Sequence, residues 1–414
     1  MGILLVGATT AEGATVDVRI EGDRIAAVGD LERLPTDQVQ DLSGFMLLPA
    51  PAEPHAHLDK ALTADRVINT TGDLLGAITA WQAAWPTLTK EDIADRARRA
   101  ALSGVANGLT AIRSHGDLSS VIGLRSMEAL VEVRDQLRDI VDIQVVALIA
   151  LPTAGLAGAE HRALLREALE MGVDIAGGCP HLDDDRTGCL DACLQAAADA
   201  GRPIDLHTDE TLDPEVLGLR DFARLVSTSG FAFGATASHC VSLGMQDEYT
   251  QHAVAAEVAE AGIAVVTLPQ TNLFLQGHAH RSAMPRGLTA IRPLLDAGVI
   301  VAGGADNVQD PFNTMGRADP LETAALLVMV GHLLPHEAYE AVSTSARAAM
   351  GLEPVSIAAG SPAELLAVRA RTLREAIATA HPDRLVYHRG RLVAQTCSTT
   401  TFCDRAADTE RSHD

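Results

Sequence analysis

His55-Ala56-His57 stands directly behind the apolar run Phe45-Met46-Leu47-Leu48-Pro49-Ala50. Side chains of a strand alternate with period two, so two imidazoles one residue apart at a strand end project to the same side. Paired nitrogen donors of this kind suit a divalent cation. His-x-His alone is weak, because 15 histidines are present and His278-Ala279-His280 forms another such pair in a Gly-rich loop with no apolar run before it. What singles out the first pair is that His207, His239 and Asp306 each close a further short strand-like run. His55, His57, His207 and Asp306 therefore make a candidate set of three imidazoles and one carboxylate. Such a set with an open position holds a water and lowers its pKa towards neutrality.

Eight strand-like runs separated by helical patterns would bring these residues together. Counting the run Leu42–Leu48, read as continuing into the His pair, the others are Thr110–Ser114, Ile143–Leu151, Asp174–Cys179, Pro203–His207, Gly234–His239, Ile263–Leu268 and Val299–Gly304. Between several of them lie stretches of helical periodicity, such as Lys90–Ala106, Leu124–Arg138, Glu160–Met171, Cys189–Ala200 and Gln251–Ala261. Eight such units predict an α/β fold, a (β/α)8 TIM barrel with its chemistry at the C-terminal ends of the strands. Ile3–Val6, Val16–Ile20 and Ile25–Val28 read as short strands, as do Glu364–Val368, Arg384–His388 and Leu392–Gln395. These predict a small β-sandwich domain formed by both termini. The expected division is 1–49 and 351–403 for the sandwich, 50–350 for the catalytic barrel, and 404–414 for a disordered tail.

Composition narrows the partners. Of the 414 residues, 55 are acidic and 32 basic, giving a net charge of −23, which argues against nucleic acid and anionic membranes. Met1–Val6 lacks a basic leader region, and the apolar stretch Ala324–Leu334 is too short to span a bilayer. The six cysteines include no C-x-x-C pair and read as reduced thiols. The expectation is a cytoplasmic enzyme with a small-molecule partner; a homo-oligomer stays open.

The motifs Glu53-Pro54-His55-Ala56-His57-Leu58-Asp59, Arg113-Ser114-His115-Gly116-Asp117, Asp205-Leu206-His207-Thr208-Asp209-Glu210, Ala237-Ser238-His239 and Gly304-Ala305-Asp306-Asn307 run through the chain. With Asn272–Gly277 and Val308–Pro311 they resemble the amidohydrolase superfamily, in particular its bacterial cytosine deaminase-like branch. The resemblance implies one divalent metal ion, Fe2+ or Zn2+, on His55, His57, His207 and Asp306. It implies that Glu210 carries a proton from the attacking water to a ring nitrogen, that His239 orients that water, and that Asp306 passes a proton to the departing amine. Binuclear members bridge two metals with a lysine or carboxylate on a middle strand. Here the only lysines are Lys60 and Lys90, and the fourth barrel strand runs into Gly177-Gly178-Cys179-Pro180-His181, so a mononuclear site is expected.

Two departures bear on the substrate. Thr153 stands where the deaminases carry a glutamine that reads the pyrimidine edge, and a hydroxyl cannot offer donor and acceptor together in one plane. Asn307 and Lys60 instead resemble the isopropylammelide amidohydrolases, while Glu210 resembles the deaminases. Lys60 is open between a substrate-contacting cation and a solvated surface residue. His181, Gln276 and Phe312 are further candidates to line the pocket, and His115 is expected as a structural hydrogen-bonder beneath the metal. The expected function is metal-dependent hydrolytic deamination of a cytosine-like amino-substituted heterocycle with release of ammonia. Removal of an alkylamino group from a triazine, or opening of a cyclic amide, is the alternative, and a non-catalytic metal-binding scaffold is a third reading.

Overall fold

A computed structural model describes residues 2–402. The tail expected to be disordered, 404–414, lies outside the described residues, as does Cys403. The chain begins with β1 (Ile3–Thr9), β2 (Thr15–Glu21), β3 (Arg24–Gly29), β4 (Gln38–Asp41) and β5 (Phe45–Pro49). Eight parallel strands follow: β6 (Ala52–Ala56), β7 (Ala111–Leu118), β8 (Asp142–Ile149), β9 (Ile175–Gly178), β10 (Ile204–Thr208), β11 (Ala235–His239), β12 (Ala264–Thr267) and β13 (Val301–Gly303). They pair in sequence order, and a parallel bridge between Ala56 and Asp306 joins the last unit to the first. This is a (β/α)8 barrel. Its strands are buried almost throughout because helices cover the outer face.

The run that carries the His pair is not continuous with the one before it. β5 belongs to the terminal sheet and β6 starts the barrel, with Ala50-Pro51 between them. Pro49 and Pro51 have no N–H to donate to a ladder, which lets the chain leave one sheet and enter the other. Pro54 has the same effect inside β6, whose register against β7 shifts between Glu53 and Ala56. The helix Lys90–Ala106 forms where its periodicity predicts, capped by Thr89, whose hydroxyl accepts from the Asp92 N–H at 3.2 Å. An unpredicted helix, Leu74–Ala84, lies in the long connection between β6 and β7, capped by Asp73.

β14 (Leu365–Arg369), β15 (Arg384–His388) and β16 (Arg391–Thr396) complete the terminal sheet, in the order β16-β15-β14-β5-β1-β2-β3 with β4 beside β1. Its far ends meet across a shared core: the turn at Gly390 rests on the carbonyl of Gly22, with no room for a Cβ. Alternation along β5 and β14 serves both cores. Leu47, Leu365 and Ala367 face the terminal core, while Met46, Leu48 and Val368 face the barrel.

Arg384 locks the two units together. Its buried guanidinium donates to both oxygens of Asp319, at 2.9 and 2.8 Å, and to the carbonyls of Asn107, Ala380 and His381. Among the described residues no helix is long and apolar enough to cross a membrane. Removing one partner of a buried ion pair strands the other, at about 3–5 kcal/mol. Arg384→Met is expected to lower the urea midpoint accordingly and to leave the metal content of the folded fraction unchanged, measured by denaturation and elemental analysis.

Candidate active site

His55 lies in β6, His57 follows it, His207 lies in β10, His239 ends β11 and Asp306 follows β13. The strand ends bring the rings of His55, His57 and His207 within 4.5–5.2 Å of one another, centroid to centroid. His57 Nε2 lies 3.1 Å from His207 Nε2 and 3.4 Å from Asp306 Oδ1, and His55 Nε2 lies 3.8 Å from that oxygen. His55 Nε2 and both oxygens of Asp306 are buried with no hydrogen-bond partner among the described residues. Burial pushes His55, His57 and His207 well below the usual histidine range, so they are neutral and offer lone pairs. Converging, unsatisfied donors of this kind fit one divalent cation, and three overlapping buried groups that share His55 have the spacing to hold one: His55 with His57 and His207, with His239 and Asp306, and with His115 and Asp205.

Behind the donors stands a second layer. His55 Nδ1 lies 2.8 Å from the Ser238 hydroxyl, which donates to Asp205 at 3.1 Å; Asp205 in turn accepts from Arg113 at 2.7 Å. Because Ser238 spends its proton on Asp205, it accepts from Nδ1–H and leaves the His55 Nε2 lone pair facing the other donors. Lys60 Nζ lies 3.0 Å from His57 Nδ1 and 2.9 Å from Asp117 Oδ1. Lys60 is 4% exposed, which excludes the solvated surface residue. His115 is not the hydrogen-bonder expected of it. Neither ring nitrogen has a hydrogen-bond partner among the described residues, and the ring packs on His55 with centroids 3.9 Å apart.

Glu210 follows β10, and its carboxyl lies 3.5 Å from His239 Nδ1. Burial alone pushes it up to about 8, so it gains and loses a proton near neutrality. Burial holds His239 down to about 3, and Asn272 lies 3.2 Å from its Nδ1. His239 and Asp306 both adopt left-handed backbone, φ 69° and 66°, a strained conformation for non-glycine residues that concentrates at functional sites.

A cavity opens over these groups, lined by His57, Lys60, His207, Glu210, His239, Asp306, Asn307 and Phe312 among the expected residues. Thr153, His181 and Gln276 are elsewhere. The Thr153 hydroxyl donates to the carbonyl of Ala150, and its N–H to Asp183, so the side chain is spent on its own turn; the cavity wall there is Leu148–Leu151. His181 bonds the carbonyl of His207 and faces a separate hollow between helices. Gln276 donates to the carbonyl of Glu210.

Trp81, Trp85 and Asp117, which the sequence did not single out for a role, also line the wall. The chain's two tryptophans donate their indole N–H groups to the same oxygen of Asp117, Trp85 at 3.3 Å, while the other oxygen holds Lys60. Leu74, Ile78, Trp81 and Trp85 carry a helical spacing that would have marked this segment.

The amidohydrolase family model matches residues 64–396. The chain belongs to the amidohydrolase family. A pterin deaminase of Rhizobium rhizogenes is 35% identical over 368 residues, 85% of this chain and 82% of that protein. The crystal structure of 5-methylcytosine deaminase from Klebsiella pneumoniae with 5-fluorocytosine is 26% identical, with a TM-score of 0.86 over 98% of this chain and 100% of that one. N-isopropylammelide isopropylaminohydrolase from Burkholderia multivorans is 29% identical, with a TM-score of 0.83 over 96% and 99%. This amidohydrolase is thus a hydrolase of carbon–nitrogen bonds, and its converging donors match the family's use of a divalent metal.

Two outcomes are expected of the site. The purified amidohydrolase carries about one divalent ion per chain by elemental analysis, and His55→Ala or His207→Ala loses it; two tightly held ions would contradict this. In chelator-treated protein, the stability that neutral Glu210 contributes is complete below its unfolded pKa of 4.5 and lost as pH rises through about 8. Glu210→Gln, fixed in the neutral form, therefore gains stability over wild type as pH rises to about 8, with no further gain above it, read from urea midpoints.

Proposed function

We propose that this amidohydrolase removes an exocyclic amino group, as ammonia, from an amino-substituted nitrogen heterocycle by hydrolysis. The observation that carries the reading is Glu210: a buried carboxyl poised near neutrality at the rim of the donor cluster, facing the cavity. The 35% identity to a pterin deaminase favours a 2-amino-4-oxo ring, with a cytosine-like ring second.

A divalent cation on His55, His57, His207 and Asp306, when bound, supplies Lewis-acid charge that lets water ionise at neutral pH. Glu210 takes the first proton of the water and gives it to the ring nitrogen beside the reacting carbon, while the water oxygen bonds that carbon. His239, neutral and held beside Glu210, orients the water. Asp306 takes the second proton and hands it to the amino group. The C–N bond then breaks, ammonia leaves, and the new oxygen remains as a carbonyl next to the protonated ring nitrogen. Lys60 fixes the ring of His57, and Asn307, tied to Asp310 at 2.8 Å, shapes the floor.

A second reading rests on buried Lys60 and on Asn307, the features shared with the isopropylammelide hydrolases: the same steps with an alkylamine leaving. An ammonia-release screen over 2-amino-4-oxopteridine, cytosine, 5-methylcytosine and N-isopropylammelide separates the two. Ammonia from one of the first three is expected; isopropylamine from the last alone would establish the second reading. On the substrate found, Glu210→Gln is expected to lower turnover at least about a hundredfold, the usual scale for a general acid/base, with metal content retained. Turnover near the wild-type rate would remove Glu210 from the mechanism.

A further inference from the structure

The cavity's apolar wall is longer than a compact ring requires. Leu74, Ile78, Trp81 and Trp85 follow one another at intervals of four, three and four residues along the helix Leu74–Ala84 and the turn after it, and all four line the cavity. Such spacing puts them on one face. At 1.5 Å per residue the stripe is roughly 16 Å long, more than a one- or two-ring heterocycle occupies.

Burial grades along this stripe. Trp81 and Trp85 are 1% and 8% exposed and lie at the inner end beside Asp117 and Lys60, whereas Leu74 and Ile78 are half-buried, towards the mouth. Both indole N–H groups are spent on Asp117, so what the tryptophans offer a ligand is ring carbon. The strand-end loops add Leu151 and Leu182, also half-buried. Among the described residues charge is confined to the inner end: every charged residue lining the cavity is buried, and the more exposed lining residues are uncharged. Gln82 is the exposed amide among them.

We infer that the substrate's amino-heterocycle carries an uncharged, apolar or aryl extension that lies along Ile78 and Leu74 towards the mouth. The inference rests on the deaminase reading and specifies the substrate class for that site. An apolar extension gains by leaving water against this wall. A carboxylate in the same place would shed hydration with no free cationic side chain to receive it among the described lining residues, since Lys60 is already engaged by Asp117.

The test uses the metal-loaded enzyme and whichever ring the ammonia screen identifies, in three forms: bare, with a phenyl substituent pointing away from the amino group, and with a carboxylate at that same position. For a 2-amino-4-oxopteridine these are the 6-H, 6-phenyl and 6-carboxylate compounds. The phenyl compound is expected to exceed the bare ring in kcat/KM by about tenfold or more, chiefly through KM, the scale on which apolar pockets discriminate. The carboxylate is expected to match the bare ring or fall below it. Ile78→Asp is expected to lower the phenyl-to-bare ratio at least tenfold, and phenyl binding should shift the emission of Trp81 and Trp85, the chain's two tryptophans. Equal use of bare and phenyl rings, preference for the carboxylate, or an unchanged ratio in Ile78→Asp would overturn the inference while the deaminase reading stands. If no ring releases ammonia, both fall.

Discussion

Glu53 sits at the seam where the first and last barrel strands meet, and its carboxylate accepts the N–H of His55 at 3.1 Å and of Ala305 at 2.9 Å. One side chain thereby ties the strand carrying two imidazoles to the turn carrying Asp306. The Asp306 N–H closes the same seam on the carbonyl of His55 at 3.1 Å. Gly304 has no Cβ because Glu53 occupies that space. Everything the site does depends on this closure: the donors come from strands far apart in the chain, and only a closed barrel makes β6 and β13 neighbours.

The buried layer below the donors shows how the fold accommodates so many polar groups. β7 turns Arg113, His115 and Asp117 inward at alternate positions. Arg113 neutralises Asp205, which holds Ser238 and through it His55; Asp117 neutralises Lys60, which holds His57. Isolated charges at this depth would cost several kcal/mol each. Paired, they act as fixed posts that set ring orientation. Asp117 also anchors the two indoles, so the same carboxylate orders both the metal side and the substrate side of the cavity.

The electrostatic asymmetry of the site follows from burial. Imidazoles are pushed towards the neutral form while Glu210 and Asp306 are pushed towards protonation, so the protein alone favours a site with little charge. A divalent cation would reverse that preference for the carboxylates and meet the Nε2 lone pair of His55 that Ser238 leaves exposed.

What the sequence determined by itself was the order of the βα units and the residue types at their strand ends. Period-two alternation and short apolar runs are local signals, and His207, His239 and Asp306 each close or follow one, while His55 and His57 stand a few residues beyond the run Phe45–Ala50. The break between β5 and β6, too, is written in Pro49 and Pro51, though a continuous apolar run masks it. What tertiary structure decided was where side chains go when their partners are distant. Thr153 turns to its own backbone, His181 faces another hollow, and Lys60 is buried because Asp117, 57 residues on, takes its charge. The wall built by Trp81 and Trp85 belongs to the same class, because its orientation is set by a carboxylate from the next strand. Hydrogen bonds and ion pairs between strands depend on closure of the barrel, a long-range event that no local periodicity encodes.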